Sequence, residues 1–485
     1  MVLQRSMPIS ALWGIAAPGV QVQIAFSFND IVGTATADSR GIWISALAAQ
    51  AARTEPFSIS FTSSEGNATI SDVLIGDVVA CSGQSNLALS VSMALNASAE
   101  ISASDAFGPL LRLLQVPQAS SLTPSIDILP NSGWKRSGAA ALNVSGFAGY
   151  SATCYFSGRD LLLSLDNNIP IGAIESSVGG TAIRQWSPTS ALARCPQPYT
   201  SPVPYGTAPY ALSQHYNGMI SGLTTGPTQI RAVIFDQAES DSFPQTPLGY
   251  YGCQTVAQIN SWRAAWGAPT LPWIFVHLQP YNTTDLPDLR SAQLAALALP
   301  AVSVANAIDL GDFSSPFGAV HFRDKQTISS RLVAALLATA YNSPPPDFPP
   351  SAFLSQTAFF DSTTGEASVD VAFDGSANSG ALRLNLTAPA SICPFTPFDP
   401  TICGSFLILT NSTNVTGGVP ATPTVTGTNT LTLTATLPLY TYPVGSSYAW
   451  HIWPQATLYS GDFPVLPWQQ NLVLAGPPGP RNSAQ

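Results

Sequence analysis

The middle of the chain alternates short apolar runs with helix-like segments, and this pattern constrains the fold more than any other feature. The apolar runs lie at residues 73–81, 169–174, 232–235, 273–276 and 302–308. Such runs, separated by segments of helical periodicity, are typical of a parallel sheet with crossover helices. Residues 73–342 are therefore predicted to form an α/β domain.

Strand-like sequence flanks this segment on both sides. Residues 1–72 contain alternating runs separated by Gly, Asp and Ser turns, which favours an all-β module. A Pro-rich linker begins at Ser343, and the Thr- and Val-rich residues after it predict a second β module within residues 343–485. The chain opens directly on a strand-like run without a signal peptide, so we expect a secretory leader to lie upstream.

Charge limits the classes of partner. Charged residues make up only 9% of the chain and the formal net charge is -10, so the sequence offers no basic patch for neutralising phosphates. Nucleic acid is therefore not expected as a partner. The most apolar stretch, residues 295–310, is broken by Pro300, and no membrane span is expected.

Sequons and cysteines favour a secreted, extracellular or lysosomal glycoprotein. Asn-x-Ser/Thr acceptors occur at Asn67, Asn96, Asn143, Asn282, Asn385, Asn411 and Asn414. Among the six cysteines, Cys393 and Cys403 could staple a Pro-rich loop, and Cys195 and Cys253 lie in turn-rich segments that could meet. Cys81 and Cys154 lie in apolar runs and are expected to be buried thiols.

Polar residues follow the predicted strands at the edge where ligands gather in open α/β sheets. The first run leads to Ser82-Gly-Gln-Ser-Asn, in which Gly83 would permit a tight turn that projects the hydroxyl of Ser85. Leu87 stands where the nucleophile elbow of α/β-hydrolases has glycine, so a different hydrolase architecture is implied. Ser85 is the candidate nucleophile.

The chain has four histidines, which narrows the choice of general base. His277 lies within a predicted strand, His451 lies in the terminal β module, and His215 follows no strand. His321 comes after the last predicted strand and just before a segment with apolar residues at helical spacing. His321 is therefore the favoured base for Ser85.

Five sequence blocks, in order, resemble the sialate O-acetylesterase family. The family carries G-D-V-W-x-C-S-G-Q-S-N-M, G-G-T-x-I-x-x-W, Y-N-G-M-I, W-Y-Q-G-E-S-N and H-P-R-D-K. The matching segments here begin at Gly76, Gly179, Tyr216, Phe235 and His321. The flanks are also similar to the β regions of the family, so the resemblance covers nearly the whole chain.

The resemblance implies a fold and a set of catalytic roles. The catalytic domain would be SGNH-hydrolase-like, a doubly wound parallel sheet flanked by amino- and carboxyl-terminal β modules. Ser85 would be the nucleophile and His321 the base, with no cofactor. The oxyanion donors would be the backbone amide of Gly179 or Gly180 and the side chain of Gln237.

One position departs from the usual SGNH pattern. Gly318 stands three residues before His321, where many of these enzymes have the aspartate that orients the imidazole. By analogy with related carbohydrate esterases, the carboxylate would be Glu239, with Asp312 as the second choice. Ala238, and Phe235 with Asp236, replace family residues and are expected to alter specificity.

Four of the five binding candidates among the remaining motif residues have a second interpretation. Gln84, Asn86, Asn217, Arg184 and Trp186 are candidate substrate-binding residues. Equally, Gln84 and Asn86 could satisfy turn amides, and Arg184 and Trp186 could be packing residues. Arg323, Asp324 and Lys325 are interpreted as a solvated first helical turn. No spacing typical of metal ligands occurs, and a mechanism without metal is preferred.

The sequence therefore predicts a serine esterase that removes O-acetyl groups from sugars, foremost O-acetylated sialic acids, through an acetyl-enzyme. One alternative is an acetylesterase of other polysaccharides, of the acetyl-xylan type. The other, suggested by Gly318 and the altered block at residues 235–241, is a carbohydrate-binding relative without turnover.

Overall fold

The computed structural model describes residues 1–5, 11–128, 133–195, 212–225, 229–242, 248–281, 283, 286–376, 378–385, 403–412 and 418–472 of the chain.

The amino-terminal part is built from β-strands. They are β1 (Val2–Gln4), β2 (Ala11–Ile15), β3 (Gln21–Phe26), β4 (Asn29–Thr36), β5 (Ile42–Ala46), β6 (Arg53–Ser63) and β7 (Gly66–Gly83). β3 pairs with β4 and β6, and β6 pairs with the first half of β7, all antiparallel. β7 continues without a break through residue 72, where the sequence predicts a domain boundary.

The second half of β7 is the centre of a parallel sheet. The other strands are β8 (Leu111–Gln115), β9 (Lys135–Arg136), β10 (Ile171–Ser177), β11 (Ala232–Asp236), β12 (Trp273–His277) and β13 (Val302–Asn306). The order is β13-β12-β11-β7-β10-β8-β9, and only the β8–β9 pair is antiparallel within it. The predicted α/β parallel sheet is confirmed, and its five predicted strands all form.

Helices cover both faces of this sheet. They are α1 (Ser85–Ala88), α2 (Ala97–Ala103), α3 (Ala139–Leu142), α4 (Ala152–Ser164), α5 (Thr189–Leu192), α6 (Ser221–Thr225), α7 (Leu248–Ala265), α8 (Leu286–Gln293) and α9 (Lys325–Tyr341). Val79 and Cys81 of β7 pack in one core cluster with residues of α4 and α9, whereas Val78 and Ala80 pack in another with residues of α7. This alternation follows from the two-residue period of a strand.

The strand order determines where a site can form. β8 and β10 lie on one side of β7, and β11, β12 and β13 lie on the other. In such sheets a crevice opens beyond the carboxyl ends of the strands at the point where the chain changes direction. Here that point is the carboxyl end of β7, immediately before Ser85.

The carboxyl-terminal part is again formed by strands. They are β14 (Ala352–Phe360), β15 (Glu366–Asp374), β16 (Leu382–Leu384), β17 (Phe406–Thr410), β18 (Val419–Pro420), β19 (Thr422–Gly427), β20 (Thr430–Thr436), β21 (Pro443–Tyr448), β22 (Leu458–Ser460), β23 (Phe463–Pro464) and β24 (Trp468–Asn471). They pair in the orders β14-β15-β20-β19, β18-β17-β21-β24 and β16-β22-β23. The side chain of Arg290 in α8 donates to the carbonyl of His451, 2.9 Å away, and so joins this part to the α/β sheet.

Two disulfides link described residues. Cys195 pairs with Cys253, as the sequence allows. Cys81 pairs with Cys154, so the expectation of two buried thiols is wrong; β7 and α4 bring the two Cα atoms to 5.8 Å. Cys403 is also disulfide-bonded, while Cys393, its predicted partner, lies outside the described residues.

None of the described helices has the length and apolar character needed to cross a bilayer.

We expect the double variant Cys81→Ala/Cys154→Ala to lose about 2–5 kcal/mol of unfolding free energy, because the bond closes a long loop of the unfolded chain. Urea unfolding followed by tryptophan fluorescence measures this loss, with Cys195→Ala/Cys253→Ala as the matched comparison. Alkylation of Cys81 or Cys154 in denatured, unreduced wild-type protein would contradict the pairing.

Candidate active site

Ser85 lies on a tight turn between β7 and α1. Gly83 has φ of +150°, and a Cβ atom on it would lie 1.9 Å from the carbonyl oxygen of Asp236, so β11 approaches too closely for any side chain. The backbone N–H of Gln84 donates to that same carbonyl at 2.9 Å. Gln84 and Asn86 are buried, whereas Ser85 between them is partly exposed. The turn thus leaves Ser85 partly exposed beyond the carboxyl end of β7.

The loop after β10 lies beside Ser85. The backbone N–H of Val178 donates to the carbonyl of Gly83 at 3.1 Å. A Cβ atom on Gly179 would be 3.4 Å from the Cβ of Ser85. Gly180 has φ of +72°, a left-handed conformation that favours glycine. Backbone amides of this loop are therefore available close to the Ser85 side chain.

His321 lies in the loop between β13 and α9. Its Nδ1 is 2.6 Å from the carbonyl oxygen of Phe317. A carbonyl only accepts hydrogen bonds, so Nδ1 carries the proton, and in the neutral ring Nε2 has the free lone pair. The Phe147 ring lies 5.1 Å from the imidazole, centroid to centroid. This arrangement suits Nε2 to accept a proton.

Asn86 connects the turn that carries Ser85 to the loop that carries His321. Its Nδ2 donates to the carbonyl of Val320 at 2.9 Å. Gln279 Nε2 donates to the same carbonyl, also at 2.9 Å. Since Asn86 follows Ser85 and Val320 precedes His321, one hydrogen bond links the residues next to the proposed nucleophile and base.

The two carboxylates nominated by the sequence lie in different settings. Glu239 is buried in a short 3-10 helix, Glu239–Asp241, and its Oε1 accepts from Asn86 at 2.5 Å and from Gln279 at 3.5 Å. Asp312 accepts from the Arg323 guanidinium at 2.6 and 3.0 Å. Burial would raise the pKa of Asp312, but the Arg323 contacts outweigh it and lower that pKa. Among the described residues, the acceptor at Nδ1 of His321 is the Phe317 carbonyl.

A buried charged cluster, consisting of Asp236, Glu239 and Lys325, lies beneath Asn86. The side chain of Lys325 is 0% exposed, so its interpretation as part of a solvated helical turn is wrong. Burial lowers its pKa to about 8, although Asp236 and Glu239 oppose the shift. Burial, together with the Glu239 charge, raises the pKa of Asp236 to about 7 against the effect of Lys325. Asp324 caps α9 by accepting from the backbone N–H of Thr327 at 3.0 Å.

Gln84 and Gln237 hold the loops around the site. Gln237 Nε2 has three acceptors, the side chains of Gln84 at 3.1 Å and Asp241 at 2.7 Å and the carbonyl of Thr181 at 2.9 Å. Gln84 Oε1 also accepts from the backbone N–H of Ser240 at 3.1 Å. These contacts favour the interpretation of Gln84 as a residue that satisfies turn amides.

Of the three remaining binding candidates, Trp186 is fully buried in the core, and its Nε1 donates to the Thr181 hydroxyl at 2.8 Å. This burial favours packing over sugar stacking. Asn217 is also buried, and its Nδ2 donates to the carbonyl of Ser121 at 3.2 Å.

Arg184 lies in the short 3-10 helix Ile183–Gln185, after the Gly179 loop. Burial raises the pKa of Asp241 to about 6, and the charge of Arg184 acts in the opposite direction. Arg184 is therefore close enough to influence the ionisation of Asp241, which accepts a hydrogen bond from Gln237.

Two other histidines, His277 and His215, have ring nitrogens within hydrogen-bond distance of other protein groups. His277 in β12 has Nδ1 3.1 Å from Asn306 Oδ1 and Nε2 3.2 Å from the carbonyl of Arg290. Burial lowers its pKa to about 3. His215 has Nδ1 3.0 Å from the carbonyl of Ala119. The described residues contain no group of three or more His, Cys, Asp or Glu side chains that could hold a metal ion.

Sequence reasoning missed Phe317, Phe147 and the burial of Lys325. The Phe317 contact is made by a backbone carbonyl, which leaves no trace in residue type. Phe147 lies in a short 3-10 helix, Gly146–Ala148, far from His321 in the chain. Lys325 had a usable signal, since it belongs to the H-P-R-D-K block in a chain with 9% charged residues.

Known proteins match this chain over most of its length. The family described as "Carbohydrate esterase, sialic acid-specific acetylesterase" matches residues 76–343. A sialate O-acetylesterase from Homo sapiens is 31% identical over 371 residues, which cover 70% of this chain and 69% of that protein. One from Mus musculus is 29% identical over 399 residues, covering 70% and 72%. A crystal structure of a carbohydrate acetylesterase from Xanthomonas citri has a TM-score of 0.79 at 26% identity and covers 97% of this chain and 96% of its own.

The ordered motifs, the parallel sheet and these matches agree, and the chain belongs to the carbohydrate esterase family of sialic acid-specific acetylesterases.

Proposed function

We propose that this ester hydrolase removes O-acetyl groups from sugars, foremost sialic acids, by passing the acetyl group through Ser85. The observation that carries the proposal is the contact between Nδ1 of His321 and the Phe317 carbonyl, 2.6 Å apart, because it leaves Nε2 as the basic nitrogen. The hydrogen bond from Asn86 to Val320 joins the turn that carries Ser85 to the loop that carries His321.

The reaction would take two acyl-transfer steps. Nε2 of His321 takes the Ser85 proton as Oγ attacks the acetyl carbonyl, and the tetrahedral intermediate collapses when the imidazolium returns the proton to the departing sugar oxygen. Water, deprotonated by the same nitrogen, then attacks the acetyl-Ser85 ester; the bond between the acyl carbon and Oγ breaks, the imidazolium returns its proton to Oγ, and acetate leaves. The Phe317 carbonyl keeps the ring in the required tautomer and accepts from the imidazolium in both steps.

The backbone amides of Gly179 and Gly180 are the favoured oxyanion donors. Gly179 lies beside the Ser85 side chain, and backbone amides held by a loop need no rearrangement during reaction. Gln237 has two amide protons and three acceptors within 3.1 Å, so it would have to exchange a partner for the oxyanion. We assign Gln237 to bracing Gln84 and the Thr181 loop.

Glu239 serves His321 through Asn86 in this mechanism. The carboxylate contacts the Asn86 amide at 2.5 Å, and that amide in turn holds the carbonyl before His321. Asp312 would fix the loop before His321 by its bridge to Arg323. The Phe317 carbonyl thus orients the His321 imidazole. The side chains of Asn86, Asp312 and Arg323 hold the loop to which that carbonyl belongs.

We propose further that residues 73–342 form an SGNH-type catalytic domain between two β modules, residues 1–72 and 343–485. Ser85 directly after the first central strand and His321 just before the last helix support this assignment. The disulfides Cys81–Cys154 and Cys195–Cys253 support a secreted or lysosomal glycoprotein, since such bonds persist in oxidising compartments.

Ser85→Ala and His321→Ala should each lower kcat by at least about 10³-fold, because either change removes the acyl-transfer pair. Acetate release is measured from 9-O-acetylated sialic acid, from an acetylated xylan and from a chromogenic acetate. Ser102→Ala, an exposed serine on α2, is the matched control and should retain the wild-type rate. Undiminished turnover by the Ser85→Ala variant would refute the nucleophile. A rate on acetylated xylan well above that on sialic acid would refute the substrate assignment.

Glu239→Gln should lower kcat less than about tenfold, because the glutamine oxygen still accepts from Asn86 and Asp236 can ionise to balance Lys325. Asp312→Asn should lower kcat about tenfold, because it weakens the bridge that holds the His321 loop. Steady-state kinetics on the chromogenic acetate measure both. A loss near 10⁴-fold in the Glu239→Gln variant, as when a triad carboxylate is removed, would instead make Glu239 the orienting group.

A further inference from the structure

Lys325 is the only lysine or arginine in the first turn of α9, and its side chain points into the protein. It is fully buried, and Nζ lies 3.5 Å from the centroid of the Phe322 ring. Nζ donates to Oδ1 of Asn86 at 3.0 Å. A long, flexible cation is thus held at one position in the core, directly under the turn that carries Ser85.

This contact favours one orientation of the Asn86 amide. An ammonium group only donates, so it requires the amide oxygen on its side. The amide nitrogen then faces the two acceptors on the other side, Glu239 Oε1 at 2.5 Å and the Val320 carbonyl at 2.9 Å. Both protons of Nδ2 are used, and a flipped amide would place nitrogen against ammonium and oxygen against carboxylate.

The charged cluster has two carboxyl groups and one ammonium group. Burial and the Glu239 charge raise the pKa of Asp236, which keeps that carboxyl protonated more readily than an exposed one. The cluster then reaches neutrality with ionised Glu239 and protonated Lys325. Removal of Lys325 alone would leave a carboxylate buried without its counter-ion, and this is costly.

We propose that Lys325 is a positioning residue of the reaction: by fixing the Asn86 amide, it sets the distance between the Ser85 turn and the His321 loop. This role rests on the proposed function. Lys325 acts through Asn86 and touches neither the substrate nor the reacting atoms. Its second effect, balancing the Glu239 charge, is structural and separable from the first.

The positioning effect and the charge-balancing effect of Lys325 can be separated with three variants. These are Lys325→Met, Glu239→Gln and the double variant Lys325→Met/Glu239→Gln. Methionine keeps the length and volume of the stem, and glutamine keeps an acceptor for Asn86. Lys325→Met alone is expected to lower both Tm and kcat. The double variant contains no unpaired charge, so its Tm should return toward that of wild type.

Activity distinguishes positioning from charge balance. In the double variant kcat on the chromogenic acetate should stay about 10- to 100-fold below that of Glu239→Gln, with KM changed less than about threefold, because the reacting groups are displaced while the pocket is intact. Recovery of kcat together with Tm would overturn the proposal and leave Lys325 as a counter-ion only.

Arg331 provides the matched control on the same helix. It is buried and bridges Asp309 at 2.6 Å, away from Asn86. Arg331→Met/Asp309→Asn should lower Tm without lowering kcat. Ser85→Ala is measured alongside: full activity in that variant would refute the proposed function itself, whereas an inactive Ser85→Ala with a fully active double variant refutes only the role of Lys325.

Discussion

The site depends on one hydrogen bond across a long stretch of sequence, from the Asn86 amide to the Val320 carbonyl, whose residues are 234 positions apart. A single buried hydrogen bond contributes only about 1 kcal/mol net, so it cannot by itself hold the loops together. It is effective because both ends are fixed independently. Asn86 lies in α1, directly after the turn that follows β7, and the Val320 carbonyl has a second donor in Gln279, which follows strand β12 of the same sheet.

The electrostatics of the site follow from the scarcity of charge elsewhere. A chain with 9% charged residues places three of them, Asp236, Glu239 and Lys325, in one buried cluster. Electrostatic interactions are stronger there than at the surface because water screens them less. Because the surroundings of the cluster are buried, the charge of each member must be balanced by the other members. The cluster therefore specifies one arrangement of the surrounding loops.

Sequence reasoning located the strands and the residues at their ends because both depend on local pattern. The runs of apolar residues predict β11 and β12 to within one residue, since a buried strand must be apolar on both faces. β8 was missed because Arg112 interrupts its pattern; the guanidinium is buried and donates to the carbonyl of Pro109 and to Asp72. The Cys81–Cys154 bond and the Phe317 contact depend on tertiary geometry, which residue type alone does not encode.

The continuity of β7 has a consequence for how the protein can be divided. Its first half belongs to the amino-terminal sheet and its second half leads to Ser85. Gln4 and Arg5 both bind the buried Asp77 in that second half, and Gln4 also accepts from the backbone N–H of Val78. A fragment starting at residue 73 would begin in mid-strand and leave Asp77 without its Arg5 counter-ion. The esterase and its amino-terminal strands are therefore expected to be inherited, exchanged and unfolded as one unit.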